Sequence, residues 1–332
     1  MMCANFEVSH SPYIEQPAFE DKMDAKDVRI FCEMAFTDLN YRPFTKRHVS
    51  PSGIARKLGL DEKTVRVRVK KMEDAGFIKY YQAMPSLALF GLKSMHSYRF
   101  EAVNIATKYG VVENIQQVPY LVEAFDYLGP VVSVTIAGGS SQEVQQVADE
   151  IARRFELTKL NIGDRVVREP LSRPDRLEWE IIQKLRYEAR STTKDLARAL
   201  SITPRMVEYR ITKLLDSGAL LIRAVINTQK QEGLIFYELE MSVEEAKQPA
   251  VVKRLREAYG EKLWSWHTST ASVLLANLFG FTLAEPEEAA MKALKLEGVR
   301  RCSLFILKEI IEPQKSSWID DLIERKIKSE KV

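Results

Sequence analysis

One stretch of this chain is written twice. The segment IARKLGLDEKTVRVRVKKMEDAGFI, starting at Ile54, returns 142 residues later as LARALSITPRMVEYRITKLLDSGAL, starting at Leu196. At that offset Ala55 meets Ala197, Leu58 meets Leu200, Val65 meets Val207 and Arg68 meets Arg210. Met72 meets Leu214, Gly76 meets Gly218, and Gly91-Leu92 meets Gly233-Leu234 with no gap. A register held over apolar, Gly and Arg positions marks a tandem duplication, so the fold must be one that a single unit can adopt twice. A length of 332 residues suits several modest domains.

Each copy opens with helical periodicity. In the second, LEWEIIQKL (177–185) has apolar residues at helical spacing, followed by TTKDLARAL and TPRMVEYRITKLLDSG around a short turn at Ser201-Ile202-Thr203. Gly218 suits a left-handed helix end. FIKYYQAM in copy one and ALLIRAVIN in copy two read as β-wing strands. Helix, short turn, longer helix, Gly and β segment make a winged helix-turn-helix. Copy one has about nine extra residues between its first two helices, within TDLNYRPFTKRHVSP.

The pattern then changes. Copy one runs MHSYRFEAV, VVENIQQV, YLVEAFDYL, VVSVTIAGG, SQEVQQVADEIARRF and TKLNIGDRVVRE, and copy two repeats it from LIFYELEMSV to RRCSLFILKEII. That order is βαββαβ, the ferredoxin-like unit. The expected class is therefore α+β, two tandem units of winged helix-turn-helix plus ferredoxin-like domain. The boundaries read as an N-terminal arm (1–24), winged helices at 25–92 and 171–232, α/β domains at 93–170 and 233–313, and a charged C-terminal helix (314–332).

Composition excludes several classes. Cys3, Cys32 and Cys302 are far apart with no CxxC pair, so neither a zinc site nor a disulfide framework is expected. The N-terminal segment lacks the basic and apolar regions of a signal peptide, and no apolar run approaches a membrane span. A cytoplasmic protein that makes no membrane contact is expected. Four scattered histidines, His10, His48, His96 and His267, form no HExxH, and GxSxG, P-loop and GxGxxG motifs are lacking. Gly138-Gly139-Ser140-Ser141 reads as a turn and helix cap, and His267 as a histidine packed among aromatics. No metal, cofactor or catalytic residue is assigned.

The net charge of +3 decides nothing by itself; its distribution matters more. In EKTVRVRVKK the buried stripe is Val65, Val69 and Met72, at i, i+4 and i+7. Lys63, Arg66, Val67 and Lys70 then point outward, with Arg68 and Lys71 on the flanks and Asp61 as N-cap. Such a helix fits the major groove, where Arg and Lys reach guanine edges, Val67 meets a thymine methyl and other cations meet phosphates. Thr64 joins this candidate set. The matching residues of copy two are Arg205, Glu208, Tyr209 and Thr212, flanked by Arg210 and Lys213; Glu208 repels phosphate unless it accepts from cytosine N4. For Arg68 and Arg210, anchoring a neighbouring carbonyl or acidic residue competes evenly with phosphate contact. Lys79, Tyr80, Tyr81 and Arg223 sit where wings meet the DNA backbone, though a plain strand end explains them as well. Lys46, Arg47 and His48 in the insertion are further phosphate candidates.

Both repeated segments, with their "V…RI…L…GxI" ending, resemble the Lrp/AsnC (feast/famine) family of prokaryotic transcription regulators, and the resemblance extends over the α/β halves. It implies that the two copies pair within one chain as a pseudo-dimer reading double-stranded DNA in successive major grooves. Because KTVRVRVK and PRMVEYRI differ, the expected operator is asymmetric. A small-molecule effector at the α/β domains and further homodimerisation remain open. The turns Tyr127-Leu128-Gly129-Pro130 and Thr268-Ser269-Thr270-Ala271 lack the Gly-Asp-Tyr-Asp-like segment of amino-acid-binding members, so no effector residue is assigned. The family's enzymatic branch, the siroheme decarboxylases, shares the fused architecture but uses His and Arg around a haem pocket. Only His267 is offered on the second and third strands, and the chain is expected not to be an enzyme. A protein-interaction scaffold is the remaining alternative.

Overall fold

The structure, a computed structural model, describes residues 23–35, 50–230, 233–270, 272–313 and 317–329. Copy one runs α1 (Ala25–Ala35), α2 (Pro51–Leu58), α3 (Glu62–Asp74) and β1 (Ile78–Pro85), then β2 (Ser94–Glu101), α4 (Ile105–Asn114), β3 (Leu121–Tyr127), β4 (Val131–Gly138), α5 (Ser141–Arg154) and β5 (Thr158–Val166). Copy two repeats the order. Its helices α6 (Arg176–Leu185), α7 (Thr193–Leu200) and α8 (Pro204–Asp216) lead to β6 (Leu220–Ile226). There follow β7 (Ile235–Val243), α9 (Gln248–Tyr259), β8 (Leu263–Thr270), β9 (Val273–Gly280), α10 (Ala284–Leu294) and β10 (Val299–Ile311). A last helix, α11, spans Trp318–Ser329.

The two α/β units share one eight-stranded sheet in the order β5-β2-β4-β3-β10-β7-β9-β8. One face of each half lies under its own helices. Tyr98, Phe100, Val132, Val134 and Ile136 pack on Val111, Val144, Ala148 and Ile151 in copy one. Leu239, Met241, Leu274 and Ala276 do the same with Val251, Leu255 and Ala293 in copy two. The opposite faces turn toward each other, which brings Arg99 of β2 onto Glu238 and Glu240 of β7. With both faces covered, every residue of β4 is buried, as expected for a near-continuous apolar strand. The halves are zipped by an antiparallel β3–β10 ladder, with Ile310 opposite Phe125 and Ile311 opposite Ala124. At the far side β5 and β8 approach each other as the two ends of the sheet. This is the expected intrachain pseudo-dimer.

The winged-helix halves cross over. The core of α1, α2 and α3 continues into Ala224, Ile226, Phe236 and Phe279 of copy two. That of α6, α7 and α8 takes in Ala83 and Leu89 of copy one. The C-terminal helix, placed by nothing in its sequence, lies on α6 with Ile319 and Ile323 buried. Trp318 Nε1 donates to the Leu121 carbonyl at 2.9 Å, and Arg186 Nε meets Asp320 at 2.8 Å.

The expected wing strands form, one from each copy, and they pair with each other: β1 runs antiparallel to β6, Gln82 opposite Arg223 and Ala83 opposite Ile222. The physical reason is length: only one strand fits between the helix-ending glycines and the tight turns at Leu87–Phe90 and Thr228–Lys230. Three proposed backbone-contact residues therefore point into the junction. Tyr80 donates to Glu312 at 3.0 Å, Tyr81 donates to Glu73 at 2.6 Å, and Arg223 is held by Glu312 and Glu123. Lys79 stays exposed. Lys46, Arg47 and His48 lie outside the described residues.

Candidate nucleic-acid interface

Local chemistry builds the helix-turn-helix of copy one. The Ser50 hydroxyl accepts from Gly53 N and Pro51 occupies the first turn of α2, where a missing N–H costs nothing. Gly59 ends α2 at φ 67°, a left-handed conformation that only Gly adopts freely. Asp61 caps α3 by accepting from Thr64 N at 2.7 Å and from the Thr64 hydroxyl. These bonds, side chain first, hold the Asp61 carboxyl below its usual range. Thr64 is therefore spent on the cap. In copy two Thr192 and Thr203 cap α7 and α8, Pro204 follows, and Ser201 takes the left-handed position at φ 55°.

The buried stripe of α3 is the expected Val65, Val69 and Met72, each side chain contributing about 1.5–3 kcal/mol on burial. Lys63, Arg66, Val67 and Lys70 are exposed, Val67 at 60%. Arg66 forms an i,i+4 pair with Glu62 on its own helix, and Lys70 one with Asp74. Exposed pairs of that kind are worth only tenths of a kcal/mol, so either cation can leave for a phosphate. Lys63 makes no ion pair among the described residues.

Arg68 and Lys71 are placed differently. Arg68 Nη1 reaches Asp24 and Asp27 at 2.8 Å, and Lys71 Nζ reaches Asp27 at 3.2 Å. The Asp27 side chain is wholly buried. Asp24 and Asp27 also bond each other's backbone amides, at 2.9 and 3.1 Å. Copy two reproduces the cage. Asp175 and Glu178 form a capping box at the start of α6, Arg210 pairs with both, and Lys213 Nζ reaches Glu178 at 2.9 Å. All four flanking cations thus bind α3 to α1 and α8 to α6. The sequence offered anchoring as an alternative for Arg68 and Arg210 but not for Lys71 and Lys213, and it did not name the acids, although DRLE at 175–178 carries the spacing of a capping box.

On α8 Arg205, Met206, Glu208 and Tyr209 are exposed, Tyr209 at 68%, while Thr212 is half-buried. A bridge between the two motifs was also missed. Arg190, in the α6–α7 turn, pairs with Glu73 of α3 and covers the Tyr81 ring at 4.6 Å.

Elsewhere, Ser140 caps α5 as expected, and no three His, Cys, Asp or Glu side chains among the described residues could hold a metal. No described helix is long and apolar enough to cross a membrane.

Two capped motifs with exposed second helices define a protein built on a duplicated winged helix-turn-helix. Residues 46–79 and 174–220 match a winged helix-turn-helix DNA-binding family, one match in each copy. No curated protein sequence matches significantly. Among solved structures, the siroheme decarboxylase NirDL is similar over 92% of this chain and 99% of its own, at 15% identity and a TM-score of 0.53. The same enzyme in co-complex with an iron-uroporphyrin III analogue gives 15% identity, a TM-score of 0.52, and coverage of 92% and 97%. AsnC of E. coli covers 42% of this chain and 94% of its own, at 13% identity and a TM-score of 0.35. The resemblance to Lrp/AsnC regulators is borne out, and the winged-helix matches carry it. The expectation that the chain is not an enzyme is corrected: structures similar over 92% of this chain bear an enzyme's name. The scarcity of His on the second and third strands was too thin a ground for that exclusion.

Proposed function

We propose that this chain is a sequence-specific DNA-binding transcription regulator, with copy one's recognition helix as the principal base-reading element. The observation that carries this reading is the outward face of α3. Lys63, Arg66 and Lys70 surround an exposed Val67 on the helix that the motif presents, while Arg68 and Lys71 are withheld in the carboxylate cage. Copy two adds Arg205 and Tyr209 beside Glu208, a face of mixed sign that suits a different half-site. The operator is then asymmetric, with half-sites spaced by helical turns. Selection from random duplex DNA across a salt series tests this. One enriched motif with salt-dependent affinity is expected; no enrichment and no salt dependence would sink the reading.

The end-to-end architectural match to a siroheme decarboxylase favours a second reading, an iron-tetrapyrrole ligand held by the α/β pair. Titration with iron uroporphyrin III, followed by its visible absorbance, decides it. A saturable band shift supports this reading, and a spectrum equal to that in buffer removes it.

A further inference from the structure

At the heart of the pseudo-dimer one guanidinium is buried between two carboxylates. Arg99 is 5% exposed, and pairs with Glu238 through Nη2 and with Glu240 through Nη1. Its guanidinium also lies 3.9 Å from the Phe305 ring centre. Arg99 belongs to copy one, and both acids belong to copy two.

The strand ladders show how these positions are related. Gly138 ends β4 opposite Ser94, and Gly280 ends β9 opposite Ile235, each just before the second helix of its unit. Five residues on from these ladder partners stand Arg99 in β2 and Glu240 in β7. Arg99 and Glu240 are therefore the same position in the two copies, one residue short of the 142 offset that the helix-turn-helix segments keep, and they touch each other. Only a residue on a twofold axis can touch its own equivalent. By the same register Glu238 corresponds to Ser97.

A symmetric dimer of either copy would place identical residues there: two buried guanidiniums for copy one, or four carboxylates with no cation for copy two. Both leave like charges facing each other out of water, which costs far more than a buried pair returns. We propose that the Arg99–Glu240 axis pair, with Glu238, is a specificity lock that lets each half-sheet accept only the complementary half-sheet of this chain type. The partner of each sheet face is thus the other copy, and the sheet of a symmetric regulator is rejected by charge. An isolated axis residue has to serve a symmetric pairing, and duplication removes that constraint.

The test uses the full chain. Arg99→Glu and Glu240→Arg each put like charges on the axis, and each is expected to lower the melting temperature by roughly 10 °C. The double exchange R99E/E240R restores an opposite pair and is expected to recover most of that loss as a monomer. Mixing the two single variants through unfolding and refolding should give a 1:1 swapped dimer, since each then finds its complement in the other chain. Equal losses that simply add in the double exchange, or single variants that melt like wild type, would overturn the lock. If neither single variant is soluble, a soluble monomeric double exchange supports it and an insoluble one overturns it.

Discussion

The two recognition helices agree where they are hidden and differ where they are exposed. Arg68 and Lys71 of α3 and Arg210 and Lys213 of α8 occupy matching positions and meet the same kind of carboxylate pair at the start of the preceding first helix. Outward, Lys63, Arg66, Val67 and Lys70 face Arg205, Glu208, Tyr209 and Thr212 at the same offset. The cations kept in both copies and paired with buried carboxylates are thus framework residues here, while Lys63 and Arg205, also cationic in both, stay exposed; a difference between copies marks where recognition can diverge. Charge alone does not separate these roles; burial of the partner does.

The sharpest way to break the comparison is to empty the cages. Asp27→Ala takes the buried carboxylate from Lys71 and leaves Arg68 with Asp24 alone, and Glu178→Ala takes it from Lys213 and leaves Arg210 with Asp175 alone. Each is expected to cost on the order of 3 kcal/mol in thermal or denaturant unfolding, by analogy with removing one partner of a buried ion pair. A large loss at one copy with none at the other would show that only one cage supports its helix. The cages also set an acid limit. Burial works to raise the Asp24 and Asp175 carboxyls, but bonds from backbone amides and from Arg68 or Arg210 outweigh it and hold both below 3.8. A carboxyl depressed in the folded state contributes stability above its unfolded pKa, and that contribution disappears as pH falls through the folded value. Acid unfolding of the double variant D24N/D175N should therefore be less steep below about pH 4 than that of wild type.

A smaller effect separates the outward faces. The double variant R66A/K70A should flatten the dependence of log affinity on log salt by about 0.9 for each phosphate that these cations would otherwise neutralise. Writing copy one's cations into copy two, as E208R/T212K, should steepen it by a similar amount. Fluorescence anisotropy with a fixed duplex reads both. If R66A/K70A leaves the slope unchanged, the face of α3 does not meet the DNA backbone.

The repeats of helical and strand periodicity made both units and their order legible, because those patterns reflect burial within one unit. The buried stripe of α3 and its Asp61 cap followed from spacing alone. The rest depended on contacts between distant segments. The β1–β6 ribbon, Arg223 on Glu312, and α11 on α6 bring together residues that no local periodicity relates. A strand that pairs with the other copy has the same sequence pattern as one that pairs within a hairpin. Arg68 was ambiguous for a similar reason: α1 and α3 are separated by the insertion, which hides the acid that holds it.

The weakest contact expected to matter is the bridge between the motifs. Glu73 of α3 pairs with Arg190 in the α6–α7 turn, and Tyr81 both donates to Glu73 and lies under the Arg190 guanidinium. Arg190 is more than half exposed, so Arg190→Ala should lower stability by less than about 1 kcal/mol. Its effect belongs instead to geometry, since this bridge ties the C-terminal end of one recognition helix to the neighbouring motif. Duplexes in which the two half-sites are moved apart one base pair at a time provide the measurement. Wild type should bind one spacing much better than its neighbours, and Arg190→Ala should narrow that preference several-fold while leaving the best affinity nearly unchanged. An unchanged spacing profile would mean that the β1–β6 ribbon and the crossed cores hold the two helices in register without this bridge.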